Sequence, residues 1–389
     1  MDLALYDSRF GYYARAAQRS GRAGDFFTSV DVGAIFGTLL EAQIAEMADL
    51  LAGARSPEPA ARFDLVEAGA GNGRLSADIL RACRQAHPAV YARTALHLVE
   101  ASPAARSAQI DTLGDMSDRL ASSGAELPSS FDGVLVANEL LDAMPVHQVV
   151  MREDGLKEIY VTVPASGSLE PDAPGVGPRR HKVSGAPREL DKGGAPRELA
   201  IVEGPPSTPA LGEYLARLGV ALEPGWRAEI NLRAVEWIRE AARRLRRGFL
   251  VLIDYGHEAR DLYSVTHSSG TLTTFSRHVA SGADRPSSAV PAWLERPGEQ
   301  DITAHVDFTS VKNAAHDAGL TTLGFLDQTY FLMGILNACG MPQLDLRGRL
   351  ALKTLVLPGG LGSTLKVLIL GKGVGEPALS GCSYRMRVT

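Results

Sequence analysis

The chain has 389 residues, 45% of them apolar and 22% charged, with a net charge of −5. That composition can bury a large core, suits roughly two to three average domains or one elaborated α/β domain, and leaves no chain-wide basic footprint for nucleic acid. No apolar run is long enough to span a bilayer, and Cys83, Cys339 and Cys382 match no metal or redox spacing, so a soluble protein of a reducing compartment, the cytoplasm, is expected, with no metal centre.

The opening segment, 5-LYDSRFGYYAR-15, is aromatic and broken by glycine, and is expected to be a loop or cap. From Ser29 or Asp31 a helix is expected, with Ile35, Leu39, Leu40, Ile44, Met47 and Leu51 at helical spacing and Gly53 at its end. After a linker at 54–62, strands are predicted at 63–68, 95–99, 131–137, 248–253 and 365–370, and helices at 75–86 and 228–248. Short apolar strands alternating with helices argue an α/β fold, a mostly parallel sheet with helices on both faces.

Two stretches break that rhythm. Residues 146–163 read as a β-hairpin turning at Glu153-Asp154-Gly155. Residues 164–206 are rich in Pro and Gly and carry a near-tandem GAPREL repeat at 185–190 and 194–199, too short for a solenoid. Residues 257–317 are polar and turn-rich, and a loop this long inside a domain is functional or disordered. The expected organisation is an N-terminal cap at 1–53, a core in three pieces (58–150, 226–257 and 318–375), inserts at 151–225 and 258–317, and a tail at 376–389.

The first strand runs into 67-EAGAGNGRLSADIL-80. Gly69, Gly71 and Gly73 let the backbone approach a ligand closely. The spacing is G-x-G-x-G, not the G-x-G-x-x-G of dinucleotide folds, and Glu67 precedes it. That favours a nucleoside with little phosphate, such as S-adenosylmethionine, over a nicotinamide dinucleotide or a bare strand–helix turn. Glu100 ends the second strand, where a carboxylate can accept both ribose hydroxyls; a solvated helix-start carboxylate is the alternative. Asp115 reads as surface. The strand in 134-VLVANELLDAMPVHQVV-150 stops at Asn138 and Glu139, with Asp142 three residues on. These groups are either a reactive cluster or the start of a helix whose free N–H groups they satisfy.

The ordered series 3-LALYDSRFGYY-13, 24-GDFFTS-29, 67-EAGAGNG-73, 137-ANELLDAMPV-146, 253-IDYGH-257, 270-GTL-272 and 299-EQDITAHVDF-308 resembles the MidA-like class I S-adenosylmethionine-dependent methyltransferases. That group includes a mitochondrial complex I assembly factor acting as a protein arginine methyltransferase. Departures are Ala68 in place of a usual Leu, Val30-Asp31 after Thr28-Ser29, and an insertion at 279–296. The chain also starts later than is usual in the family, so an N-terminal piece, and with it a mitochondrial address, is open.

The resemblance implies a Rossmann-like, seven-stranded class I methyltransferase sheet with the strand at 365–370 antiparallel. It also implies S-adenosylmethionine at the first glycine turn, with helical and loop inserts over the site. Glu67, Gly69, Gly71, Gly73, Glu100, Asn138, Thr28 and Ser29 are its candidate cofactor residues, although helix capping explains Thr28 and Ser29 nearly as well. Glu139 is the candidate catalytic carboxylate, able to accept two N–H bonds from a guanidinium. Asp142 is a second clamp or only a helix cap, and His257 a proton acceptor, with His278 and His305 as similar candidates. Asp254 and Tyr255 are expected at the same strand edge. The basic run Arg243, Arg244, Arg246 and Arg247 reads as a solvated helix end. A protein acceptor, no nucleic acid, no insertion into a membrane, and a homodimer as an open option complete the expectation. A non-catalytic cofactor-binding assembly factor and a small-molecule methyltransferase are the alternatives.

Overall fold

Strand β1, Phe63–Ala68, is buried at every residue, as a central strand of a sheet covered on both faces must be. In the computed structural model, residues 1–14, 28–53, 62–163, 181–182, 199–276, 279–282, 291–357 and 360–384 are described. The GAPREL repeat, His278 and residues 24–27 of the N-terminal motif lie outside the described residues, apart from Leu199. The chain divides into two compact units.

The larger unit comprises Ala16–Asp142, Ala234–Gly256 and Val311–Thr389. Its sheet holds β1, β2 (Thr94–Val99), β3 (Leu120–Gly124), β4 (Phe131–Asn138), β5 (Leu245–His257, whose last residue counts with the other unit), β6 (Thr321–Asp327) and β7 (Leu365–Lys372). The order is β6-β7-β5-β4-β1-β2-β3. β7 runs antiparallel to β5 and β6, while β1 pairs in parallel with β2 and β4. This is the Rossmann-like α/β sheet. Chain connections reverse direction between β1 and β4, so a crevice is expected beyond the carboxyl ends of those strands. The core includes Phe36, Leu40 and Met47 of the helix Ile35–Gly53, Leu80 of the helix Arg74–Ala86, and Val134, Phe249 and Val367 of the strands.

Two local expectations need correction. The helix expected from Ser29 or Asp31 to Gly53 is two helices, Ser29–Val32 and Ile35–Gly53. Between them Gly33 takes φ 140°, a conformation that favours glycine and interrupts helical hydrogen bonding. The helix expected over 228–248 is shorter, Leu232–Arg244. Before it, Arg227–Ile230 is a strand paired with His147–Arg152, and after it β5 begins at Leu245. β3 and β6 also escape the sequence pattern. β3 reads LASSG and is largely exposed at a sheet edge, and β6 carries a register shift at Thr322/Gly324.

The smaller unit comprises Met1–Arg15, Ala143–Arg233 and His257–Ser310. It contains the hairpin His147–Arg152 and Gly155–Thr162 inside a five-stranded sheet, and a three-stranded sheet of Thr273–Ser276, Val279–Ser281 and Asp301–Thr303. Among the described residues no helix is long and apolar enough to cross a membrane.

A fully buried ion pair lies inside the larger unit. Lys366 on β7 and Asp327 on β6 are opposite each other, 1% and 2% exposed, with Nζ 2.5 Å from Oδ1. Breaking it strands a buried ammonium, so Asp327→Ala should cost about 3–5 kcal/mol. Urea unfolding should show that loss, and the double substitution Asp327→Leu with Lys366→Met should recover most of it.

Candidate functional site

The glycine turn leaves β1 with Gly69, Gly71 and Gly73 at φ 72°, 51° and 84°. A Cβ on Gly73 would sit 3.2 Å from the Leu98 side chain, whereas one on Gly71 would point into open space. The N–H groups of Gly69 and Ala70 both go to the Val99 carbonyl, that of Gly73 to Ala70, and that of Gly71 to Glu100 Oε2 at 2.8 Å. These four donors are used within the protein, so the turn offers no ready cradle of bare N–H groups for a pyrophosphate. At Gly71 the backbone still faces open space, so a ligand can approach it closely.

Glu100 follows β2. Its second oxygen, Oε1, accepts the Ser102 N–H at 2.7 Å, which orients the carboxylate and leaves further lone pairs for hydroxyl donors. Ser102 in turn caps the helix Pro103–Leu113. Glu67 is buried on β1, and its Oε2 accepts both the N–H (3.1 Å) and the hydroxyl of Ser76. That bond ties the strand end to the helix beyond the turn. Burial raises the Glu67 carboxyl to about 7. Gln109, fully buried, donates to the Gly71 carbonyl at 2.9 Å and accepts from Ser123 at 2.6 Å. It was not among the sequence candidates, because a lone amide on a helix has no motif.

β4 ends at Asn138, and Glu139 follows it. Asn138 Nδ2 and the Ser29 N–H both donate to Glu139 Oε1 at 3.1 Å. Asn138 Oδ1 is buried and has no hydrogen-bond partner within the protein, an acceptor that a ligand ammonium would satisfy. Glu139 is the one non-glycine residue with positive φ among the described residues, at 51°. Although the residue keeps partial exposure, its carboxyl is enclosed, and desolvation pushes it up to about 8 against the pull of those two donors.

Asp254 on β5 has a different task from the cleft-facing one its position suggested. Its Oδ2 accepts the N–H groups of Leu140 (3.1 Å) and Leu141 (2.7 Å), and its Oδ1 that of Tyr255 (2.9 Å). Burial raises it to about 7. No helix starts at Asn138: residues 139–146 form bends and a turn, so Asp142 sits buried in a turn and caps no helix there. Thr28 caps the short helix Ser29–Val32, its N–H and hydroxyl donating to Asp31. Ser29 contributes its N–H to Glu139 and its hydroxyl to Gln328 Oε1 at 3.2 Å. Asp115 is an exposed partner of Arg84, and Arg243, Arg244 and Arg246 pair with Glu236, Glu240 and Asp132 at the surface.

His257 belongs to the smaller unit, where the chain gathers it with His267 and His305. Spacing in the sequence pointed to no metal ligation, because these residues come from three separate segments.

Glycine turn, Glu100, Asn138 and Glu139 thus all belong to the larger unit and sit at the carboxyl ends of adjacent parallel strands. Glu100 keeps lone pairs that can accept from hydroxyls, Asn138 Oδ1 lacks a partner that an ammonium could supply, and the space beside Gly71 lets a ligand approach the backbone.

A family of S-adenosyl-L-methionine-dependent methyltransferases matches residues 39–326. The mitochondrial protein arginine methyltransferase NDUFAF7 of Danio rerio is 27% identical over 357 residues, covering 85% of this chain and 71% of that protein. The homologue of Drosophila melanogaster is 25% identical over 404 residues, covering 95% and 80%. A Burkholderia thailandensis crystal structure bound to S-adenosyl-homocysteine aligns with a TM-score of 0.77 at 26% identity, over 98% of this chain and 88% of that one.

S-adenosylhomocysteine should raise the melting temperature of the wild-type chain. Glu100→Ala removes charged hydrogen bonds worth about 1.5–3 kcal/mol and should weaken binding roughly 10- to 100-fold by calorimetry.

Proposed function

The chain belongs to the S-adenosyl-L-methionine-dependent methyltransferase family, and on that premise we propose that it methylates an arginine side chain of a protein acceptor, with Glu139 receiving the guanidinium. The observation that carries this reading is the enclosed carboxyl of Glu139 at the end of β4, held by Asn138 and Ser29 on one oxygen only. Support for arginine comes from relatives named as protein arginine methyltransferases at 25–27% identity. The family resemblance further suggests a respiratory complex I subunit or assembly intermediate as acceptor, and the relatives' names place those proteins in mitochondria.

The cofactor supplies an electrophilic methyl group on a sulfonium. The protein's part is to position the nucleophile and keep water out, since an in-line displacement needs little else. A guanidinium spreads its charge over three nitrogens, so a carboxylate that accepts two N–H bonds fixes its plane and steadies the charge on the nitrogens that do not react. Among the described residues the hydrogen bonds to Glu139 fall on Oε1, which leaves Oε2 for that task. Transfer releases one proton from the attacking nitrogen. A carboxylate whose proton affinity burial has raised to about 8 can hold it before it passes to solvent.

Glu139→Gln keeps the acceptor oxygen for Ser29 but loses the charge. It should retain S-adenosylhomocysteine binding and lower kcat by at least about 100-fold. Loss of binding, or undiminished transfer into arginine peptides, would count against the assignment. The carboxylate form binds the guanidinium, so kcat/KM should rise with pH through about 8 in the free enzyme.

Stability should run the other way. A carboxyl whose folded value lies above its ordinary 4.5 favours folding when protonated; that contribution is complete below about 4.5 and is lost as pH rises toward 8. Glu139→Gln should therefore melt above wild type at pH 9, by up to about 5 kcal/mol in stability, and equal it at pH 4.

A further inference from the structure

The smaller unit brings three imidazoles together. His257 ends β5, His267 ends the 3-10 turn Val265–His267, and His305 lies between the short strands Asp301–Thr303 and Val306–Asp307. Ring centroids of His257 and His267 are 5.0 Å apart, those of His257 and His305 5.4 Å, and those of His267 and His305 5.9 Å. One ring nitrogen from each comes within 4.8 Å of the other two, and all three residues are half-buried.

The tautomer of His267 follows from its neighbours. Its Nδ1 lies 3.0 Å from the Asp261 carbonyl and 3.4 Å from the Thr266 hydroxyl. A hydroxyl can give or accept, but a carbonyl only accepts, so Nδ1 carries the hydrogen and Nε2 keeps its lone pair. This is the outer hydrogen bond that orients a metal-binding histidine.

The backbone holding the rings is also tied together. The His305 N–H donates to Thr271 Oγ1 at 3.0 Å, and the Thr271 N–H and hydroxyl donate to Glu229 Oε2 at 2.7 and 3.1 Å. Gly270 donates its N–H to the His267 carbonyl at 2.8 Å. It packs so closely on Glu229 that a Cβ would lie 2.5 Å from that carboxylate. The buried Glu229 thus fixes the segments of His267 and His305 relative to each other.

We propose that His257, His267 and His305 bind one divalent transition-metal ion of the zinc class. Three imidazole donors with no carboxylate among them suit zinc, copper or nickel and disfavour calcium or magnesium, which require oxygen. Bonds of about 2.0–2.1 Å require the nitrogens roughly 3.4 Å apart, within reach of small rotations of half-buried rings. Three protein ligands leave a fourth position for water or another donor. Bound there, the ion clamps the 257–271 segment to the 301–307 segment. A metal-bound His257 has no lone pair left to take a proton on that nitrogen, so this role and that of proton acceptor in methyl transfer compete.

The test uses the full chain, stripped with chelator and dialysed against Zn(II), with metal per chain measured by elemental analysis and affinity by competition with a chromophoric chelator. Wild type should bind one equivalent. His267→Ala and His305→Ala should each weaken binding at least 10-fold, while His316→Ala, an exposed histidine bonded to Thr322, should not. Co(II) in place of Zn(II) should give the visible absorption of a tetrahedral nitrogen site, lost in His267→Ala. An unchanged far-UV circular dichroism spectrum and cooperative unfolding of the whole chain certify the fold of each variant, and if His267→Ala fails that check, His267→Gln, whose amide can still donate to the Asp261 carbonyl, takes its place. Absence of saturable binding in wild type, or one equivalent bound equally well by the folded variants, overturns the proposal. None of these readouts depends on methyl transfer, so they stand or fall apart from the acceptor assignment.

Discussion

The Asp254 carboxylate at the end of β5 accepts the N–H groups of Leu140 and Leu141, and through them it shapes the chain just after Glu139. Parallel pairing of β4 and β5 makes this possible, because Ile253 stands opposite Asn138 and delivers the next residue, Asp254, to the end of β4. The Glu139 N–H meanwhile donates to the Ile253 carbonyl at 2.7 Å. A left-handed conformation for a non-glycine residue costs of order 1–2 kcal/mol. Three hydrogen bonds across two strand ends offset that cost, and they hold the backbone where it turns out of the sheet. The orientation of Glu139, and the meeting of Asn138 and Ser29 on its carboxyl, depend on that arrangement.

The same edge concentrates acids that would rather be neutral. Desolvation raises Glu67 and Asp254 to about 7 and Glu139 to about 8. Each additional negative charge makes the next harder to form: Asp254 and Asp31 raise Glu139, and Glu100 and Asp78 raise Glu67. Such a site is destabilising when empty and ionised, and becomes favourable once cations enter. S-adenosylmethionine carries a sulfonium and an ammonium, so the electrostatics that weaken the free fold favour the cofactor. A guanidinium acceptor would be drawn by the same field. Stability is given up where binding needs it, a common trade at functional sites.

Much of the fold was legible in local patterns. β1, β4 and β5 are apolar runs buried on both faces, and such runs stand out against their flanks. The glycine turn, Glu100, Asn138 and Glu139 were legible for a related reason, since polar groups just past an apolar strand mark its carboxyl end. β3 escaped because its residues, Leu-Ala-Ser-Ser-Gly, are half-exposed or exposed and carry no apolar period. The strand Arg227–Ile230 escaped because its pairing partner is remote, and a short apolar alternation there reads equally well as the first turn of a helix.

The sequence by itself determined the strand–helix alternation, the ligand-type turn and the row of polar groups at the strand ends, because each is written in residues only a few positions apart. Tertiary structure decided the rest: that Asp254 supports the loop after Glu139, that Gln109 braces Gly71, that Glu67 is spent on Ser76, and that His257, His267 and His305 converge. Those contacts join segments brought together by strand register and chain crossover, and register is set by the whole buried pattern of a sheet, which no local spacing reveals.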